Sequence, residues 1–334
     1  MGLGMRLTLL AVASETGLGY QTKAYYKWLK PDRTIIIDIS NLNGTTQHYD
    51  WYPDASVIKG IPKQSDFDHI LDTDIILTAE TIYNLELYAE AKKRGVKTVC
   101  VENPEFYDHI KYPHYAMPDT IILPSVWLEP EIRKHAEGRG TKVYQIHHPV
   151  DREEHPFKLR TGHNFMHIAG KPATQDRNGT WDYMKVCPDG RVAVQNHDLS
   201  RQIAMRHRNA KIYDRITDNK VLYELGDILV FPRRYGGNCL PLNEALSSGM
   251  PVIMPDISPN NHLLPKHWLV PAYKTATFEP RGIVDIHSVD IFALQQKIEW
   301  FKQCDIEEES RLADKIAESI SWPTLLPKYK EAIW

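Results

Sequence analysis

One stretch of this chain gathers residue types that could hold an anion and a polyhydroxyl group side by side. It reads Leu229-Val230-Phe231-Pro232-Arg233-Arg234-Tyr235-Gly236-Gly237-Asn238-Cys239-Leu240-Pro241-Leu242-Asn243-Glu244-Ala245-Leu246-Ser247-Ser248-Gly249-Met250-Pro251-Val252-Ile253. Residues 228–231 have the apolar pattern of a buried strand, the glycines that of a tight loop, and residues 244–248 that of a short helix stopped by Gly249 before a second strand. A loop that opens into a helix N-terminus presents unsatisfied N–H groups and the positive end of the helix dipole, which suits an anion. Glu244 beside such a site would repel phosphate unless it serves something else, such as the vicinal hydroxyls of a ribose.

Two cations stand behind another strand. Residues 164–170 read as that strand, and Lys171 and Arg177 follow it. An ammonium and a forked guanidinium suit a pyrophosphate. Near the N-terminus an apolar run enters Gly17-x-Gly19-x-x-Thr22, where two glycines let the backbone approach a phosphate or sugar closely. The next strand ends in Asp38, about twenty residues on, as in a dinucleotide fold where such a carboxylate holds an adenosine ribose. An NAD-dependent oxidoreductase is therefore a competing reading. Glu80 and Glu102 sit just past two further strand ends, and His109 and His114 lie in the following loop. These four are candidates to meet an acceptor or a sugar, or simply surface and packing residues.

Residues so scattered need two scaffolds. At 334 residues the chain exceeds one small core and fits two α/β domains of about 150 residues. We expect residues 1–152, joined by a last helix over about 321–334, and residues 153–320. Helices are expected near 22–29, 83–93, 130–137, 289–302 and 306–320. Residues 41–68, including Trp51 and Tyr52, read as an irregular loop, and residues 152–160 as a hinge.

Forty basic against 43 acidic residues leave a net charge of -3, so no global basic field advertises nucleic acid or an anionic membrane. Cys100, Cys187, Cys239 and Cys304 show no Cys-x-x-Cys spacing and read as reduced thiols of a cytoplasm. The fifteen histidines are dispersed without a His-Glu-x-x-His, so no metal site is expected. No stretch approaches the roughly twenty apolar residues of a membrane span.

The 229–253 stretch resembles the nucleotide-sugar signature of the large retaining family of GT-B glycosyltransferases that includes sucrose, trehalose and mannosyl transferases. The family pattern has two glutamates with seven residues between them, the spacing of Gly236 and Glu244 here, then a helix and Gly-x-Pro-Val-Ile. Gly237, Leu240, Pro241, Glu244, Ala245, Gly249, Pro251, Val252 and Ile253 fall in step, and Gly236 takes the first glutamate's place.

The resemblance implies two Rossmann-like α/β domains facing across a cleft, with the last helix crossing back to the first. It implies Glu244 on the donor ribose and Lys171 and Arg177 on its diphosphate, the three residues carrying catalysis. Further donor contacts would come from Gly170 and Asn178, from Arg215 and Ile216 beside the base, and from Gly236, Gly237, Asn238, Cys239 and Leu240. Gly17 and Gly19 complete the donor set. Cations and a helix terminus would replace a metal, so no cofactor is implied beyond a nucleotide-sugar co-substrate, a UDP-sugar foremost.

The implied activity is transfer of a hexosyl or related group to an acceptor, with retention at the anomeric carbon. Gly236 keeps a nucleotide-sugar isomerase or a non-catalytic sugar-nucleotide-binding homologue open as alternatives. The chain is similar to short phage-encoded glycosyltransferases, whose acceptors include modified DNA bases and virion proteins. Its net charge lends a DNA acceptor no support.

Overall fold

A computed structural model describes residues 4–80, 83–107, 109, 112–170, 176–216, 218–279 and 284–334. The chain divides into two compact units, Met1–His148 with Leu325–Trp334, and Pro149–Thr324.

In the first unit, β1 (Leu7–Ala11), β2 (Arg33–Asp38), β3 (Ser56–Lys59), β4 (Ile75–Ala79), β5 (Lys97–Val101), β6 (Thr120–Leu123) and β7 (Lys142–Gln145) form one sheet. Its order is β3-β2-β1-β4-β5-β6-β7, and every pairing is parallel. Central parallel strands are covered on both faces, which is why β1 and β4 are apolar apart from Thr8 and Thr78 and are buried along their whole length.

The helix after β1 spans Gly17–Leu29, so it begins at the glycines and not near residue 22. Thr16 explains the early start, because its hydroxyl accepts the Gly19 N–H at 3.1 Å. Side chains of Leu10, Ile35, Ile37, Phe67, Ile76 and Tyr88 make the core on one side of this sheet. The end of the last helix, Trp322–Ile333, joins this unit, with the Tyr329 ring 6.0 Å from that of Tyr25.

Residues 41–68 are not one irregular loop: β3 lies within them and pairs with β2, and Phe67–Ile70 is helical. Tyr52 is buried with its hydroxyl 3.0 Å from Thr22 Oγ1. Trp51 is half-buried, stacked on His48 with Lys23 Nζ 4.7 Å from its ring centre.

The second unit repeats the plan. β8 (Phe165–Gly170), β9 (Arg191–Val194), β10 (Lys211–Asp214), β11 (Ile228–Val230), β12 (Val252–Pro255) and β13 (Leu269–Val270) form a parallel sheet in the order β10-β9-β8-β11-β12-β13. An antiparallel hairpin, β14 (Ala272–Phe278) with β15 (Val284–Val289), follows, and the sequence reading had placed no element there before the helix near 289.

The expected hinge at 152–160 is instead fastened to its own unit. Arg152 pairs with Asp314 and Glu318, and the buried Arg160 guanidinium donates to the carbonyls of Ser248 at 2.6 Å and Gly226 at 3.1 Å. Among the described residues no helix is long and apolar enough to cross a membrane, no three His, Cys, Asp or Glu side chains group as for a metal, and the four cysteines are unbridged.

Candidate functional site

Because β8, β9, β10 and β11 are parallel, their carboxyl ends lie along one edge of the second sheet, where open α/β sheets place ligands. The loop leaving β8 carries the expected diphosphate cations. Lys171 lies outside the described residues, and Arg177 within them.

That loop is shaped by its own polar groups. Asp176 accepts the N–H groups of Thr180 and Trp181, each at 3.0 Å, and so closes the first turn of the helix Thr180–Val186. Burial raises the Asp176 carboxyl above its ordinary range against the pull of those two bonds. Asn178 Nδ2 donates to the carbonyls of Ile168 at 3.2 Å and Ala169 at 3.0 Å, which ties the loop down on β8. Its amide nitrogen therefore serves the chain's own backbone.

The loop after β11 packs directly against it. A Cβ on Gly179 would fall 2.2 Å from the Pro232 carbonyl oxygen, and the Arg234 N–H donates to the Arg177 carbonyl at 2.8 Å. Arg234 Nε in turn donates to the His287 carbonyl at 3.0 Å, so the hairpin strand β15 braces the same loop.

At the centre lies Gly236, with φ +118°. A Cβ there would come 2.4 Å from an Nη2 of Arg177 and 2.4 Å from an Nη2 of Arg233. Those two nitrogens thus stand within about 5 Å of each other, where unit charges repel by roughly 3 kcal/mol at an effective dielectric of about 20. Arg233 is 6% exposed and donates Nε to the Tyr235 carbonyl at 3.0 Å and Nη2 to the Asn238 carbonyl at 2.9 Å. The Arg177 guanidinium lies 5.2 Å above the Tyr235 ring.

The helix beyond this loop spans Leu240–Ser247, starting four residues before its expected onset, and so puts Glu244 in its second turn. Glu244 Oε2 accepts the Tyr223 hydroxyl at 2.5 Å, and Oε1 lies 3.8 Å from His155 Nε2. Burial, and next the Glu244 charge, drive the Tyr223 hydroxyl pKa well up, so it remains the donor. Spacing pointed to neither Tyr223 nor His155, because they come from a distant loop and from the supposed hinge.

Gly237 and Cys239 are buried in the loop, Asn238 and Leu240 partly so. Arg215, left-handed at φ 56° and exposed, and Ile216 follow β10, and the Gln195 amide donates to the Ile216 carbonyl at 2.9 Å.

Gly170, Arg177, Asn178 and the 232–239 loop are thus brought together in the second unit, whereas Gly17, Gly19, Glu80, Glu102, His109 and His114 belong to the first. Glu102 is buried beside the Cys100 thiol, which donates to it at 3.4 Å. Glu80, at φ 65°, accepts from Asn103 Nδ2 at 3.2 Å. His109 is buried against Tyr107, while His114 is exposed between Tyr112 and Tyr115.

Solved structures of the same architecture are numerous. A glycosyltransferase from Rickettsia africae is 12% identical with a TM-score of 0.69, over 98% of this chain and 97% of that one. HepE from Anabaena, solved with UDP and glucose, is 14% identical with a TM-score of 0.67, over 98% of each chain. The fold is GT-B.

Sucrose-phosphate synthase from Thermosynechococcus elongatus shares this GT-B architecture at 12% identity and a TM-score of 0.65, again over 98% of each chain. No protein-family model and no curated protein matches the sequence. In this GT-B chain the dinucleotide-like carboxylate Asp38 is already engaged. It accepts from Lys59 Nζ at 2.8 Å, Tyr49 Oη at 2.6 Å and the Ser40 N–H at 3.0 Å. Burial would raise its pKa, but those bonds outweigh burial and hold it well below the carboxylate range.

Proposed function

We propose that the chain is a glycosyltransferase that takes a sugar from a UDP-sugar held by its second unit and passes it to an acceptor held by its first. Two features support this reading: the Arg177 guanidinium beside Gly236 in the loop that opens the Leu240–Ser247 helix, and the Glu244 carboxylate of that helix, held by Tyr223. A cation and the N–H groups at a helix start suit a diphosphate, and a fixed carboxylate suits the paired hydroxyls of a ribose. HepE, solved with UDP and with UDP-glucose, supports a uridine donor.

In the proposed reaction Arg177, together with Lys171 and the N–H groups at 238–240, bears the charge that develops on the leaving diphosphate as the glycosidic bond breaks. Glu244 anchors the ribose and so fixes the anomeric carbon relative to those donors. Retention at that carbon follows the family that the 229–253 stretch resembles. Glu80, Glu102, His109 and His114 are the first unit's candidates for the acceptor side.

The test is release of UDP from a panel of UDP-sugars, with and without hydroxymethylated DNA or a protein acceptor. The reading expects release that depends on acceptor. A second reading, binding or isomerisation of a nucleotide sugar without transfer, is favoured by Gly236 standing where the family pattern has a glutamate. It expects donor bound or rearranged with no UDP released. Hydride transfer on NAD is disfavoured by the three bonds that Asp38 already accepts from Lys59, Tyr49 and Ser40.

A further inference from the structure

We propose that Arg233 is a donor-recognition residue that pairs with Arg177 across Gly236 to form an oxyanion site. Arg233 is buried, yet both of its hydrogen bonds go to main-chain carbonyls, those of Tyr235 and Asn238. Carbonyl oxygens fix the plane of a guanidinium without cancelling its charge. Among the described residues Arg233 makes no ion pair within 4.0 Å. A buried charge in that condition is costly unless an opposite charge joins it.

The geometry shows which second cation would share that charge. One Nη2 from each arginine lies beside Gly236, each 2.4 Å from the point a Cβ would occupy. Gly236 adopts φ +118°, so its backbone and its surroundings both exclude a side chain. Arg177 is held over the Tyr235 ring, which itself packs edge-on against Phe278 of β14 with centroids 4.9 Å apart. Two guanidinium groups held side by side against a glycine that leaves no room for a side chain match a multidentate oxyanion.

Two donor groups carry that chemistry: the diphosphate, and the carboxylate of an acidic sugar. Which of them is bound rests on the UDP-sugar reading; the site itself does not. Calorimetric titration of the full chain with inorganic pyrophosphate, UDP, UDP-glucose and UDP-glucuronic acid, for wild type, Arg233→Gln and Arg177→Gln, separates the cases. Thermal unfolding confirms that each variant is folded, and the less buried Arg177 keeps the test open if Arg233→Gln fails to fold.

If the diphosphate is the partner, either substitution weakens pyrophosphate and UDP about 10-fold or more, the scale of one charge-assisted bond. If the sugar carboxylate is the partner of Arg233, Arg233→Gln leaves UDP unaffected and removes a preference for UDP-glucuronic acid over UDP-glucose, while Arg177→Gln still weakens UDP. Folded variants that bind all four ligands as wild type does would overturn the oxyanion site and leave the donor reading standing. Arg233-dependent binding of pyrophosphate with no binding of UDP would keep the site and sink the donor reading. A wild-type chain that binds none of the four overturns both.

Discussion

Tyr223 Oη donates to Glu244 Oε2 at 2.5 Å, and the T-shaped packing of the Tyr223 ring on His155, centroids 5.4 Å apart, holds that hydroxyl in place. The carboxylate is therefore held in one orientation, which in the proposed donor site would spare the cost of ordering it on binding. Tyr223→Phe keeps the ring and removes one bond to a charged group. It is expected to weaken UDP roughly 5- to 10-fold, about 1–1.5 kcal/mol, in a calorimetric titration. Unchanged affinity would mean that Glu244 needs no help in facing its ligand.

Gly19 tests the entry to the first helix. A Cβ there would fall 1.9 Å from the Ser14 carbonyl oxygen, a backbone atom that no side-chain rotation can move. Gly19→Ala should cost roughly 3 kcal/mol, the upper end for overpacking, read from urea unfolding. Gly4→Ala, with nothing within 4 Å of its Cβ, is the control expected to be near neutral.

Two buried imidazoles set an acid limit. His167 Nδ1 donates to the Val230 carbonyl at 2.8 Å, and Nε2 lies 3.0 Å from Thr180 Oγ1, a hydroxyl able to donate to it when the ring is neutral. Burial, opposed by the Val230 carbonyl, lowers its pKa to about 4. Burial, aided by His147, lowers that of His148 to about 3.

The unfolded chain titrates near 6.5 and so binds protons that the folded chain refuses. Their stabilising effect is complete above about pH 6.5 and falls by up to about 1.4 kcal/mol per pH unit for each ring as pH drops toward the folded values. Denaturant midpoints at pH 7 and pH 5 check this, with the lower midpoint expected at pH 5. A His167→Gln variant should show a shallower fall, and equal midpoints for the wild type would contradict the assignment.

Much of the fold was legible because both sheets are parallel and covered on two faces. Runs such as Leu7–Ala11 and Ile228–Val230 can then only be buried strands, and Glu244 with the glycines before it follows from its helix and loop. What stayed hidden was long-range or polar. The hairpin Ala272–Phe278 with Val284–Val289 escaped because β14 is mostly exposed and lacks an apolar face to read. Nothing in the pattern singled out Arg233, since only the folded loop shows its guanidinium buried beside Gly236. The helix Leu240–Ser247 was placed late because Pro241 resembles a break, whereas proline is tolerated in a helix's first turn.

The account stands on the second unit gripping a uridine nucleotide through Glu244, and one titration addresses that directly: UDP-glucose into wild type and into a folded Glu244→Ala. Loss of a hydrogen bond to a charged group predicts affinity weaker by about 10- to 150-fold, roughly 1.5–3 kcal/mol. Equal affinity for the two proteins would contradict it.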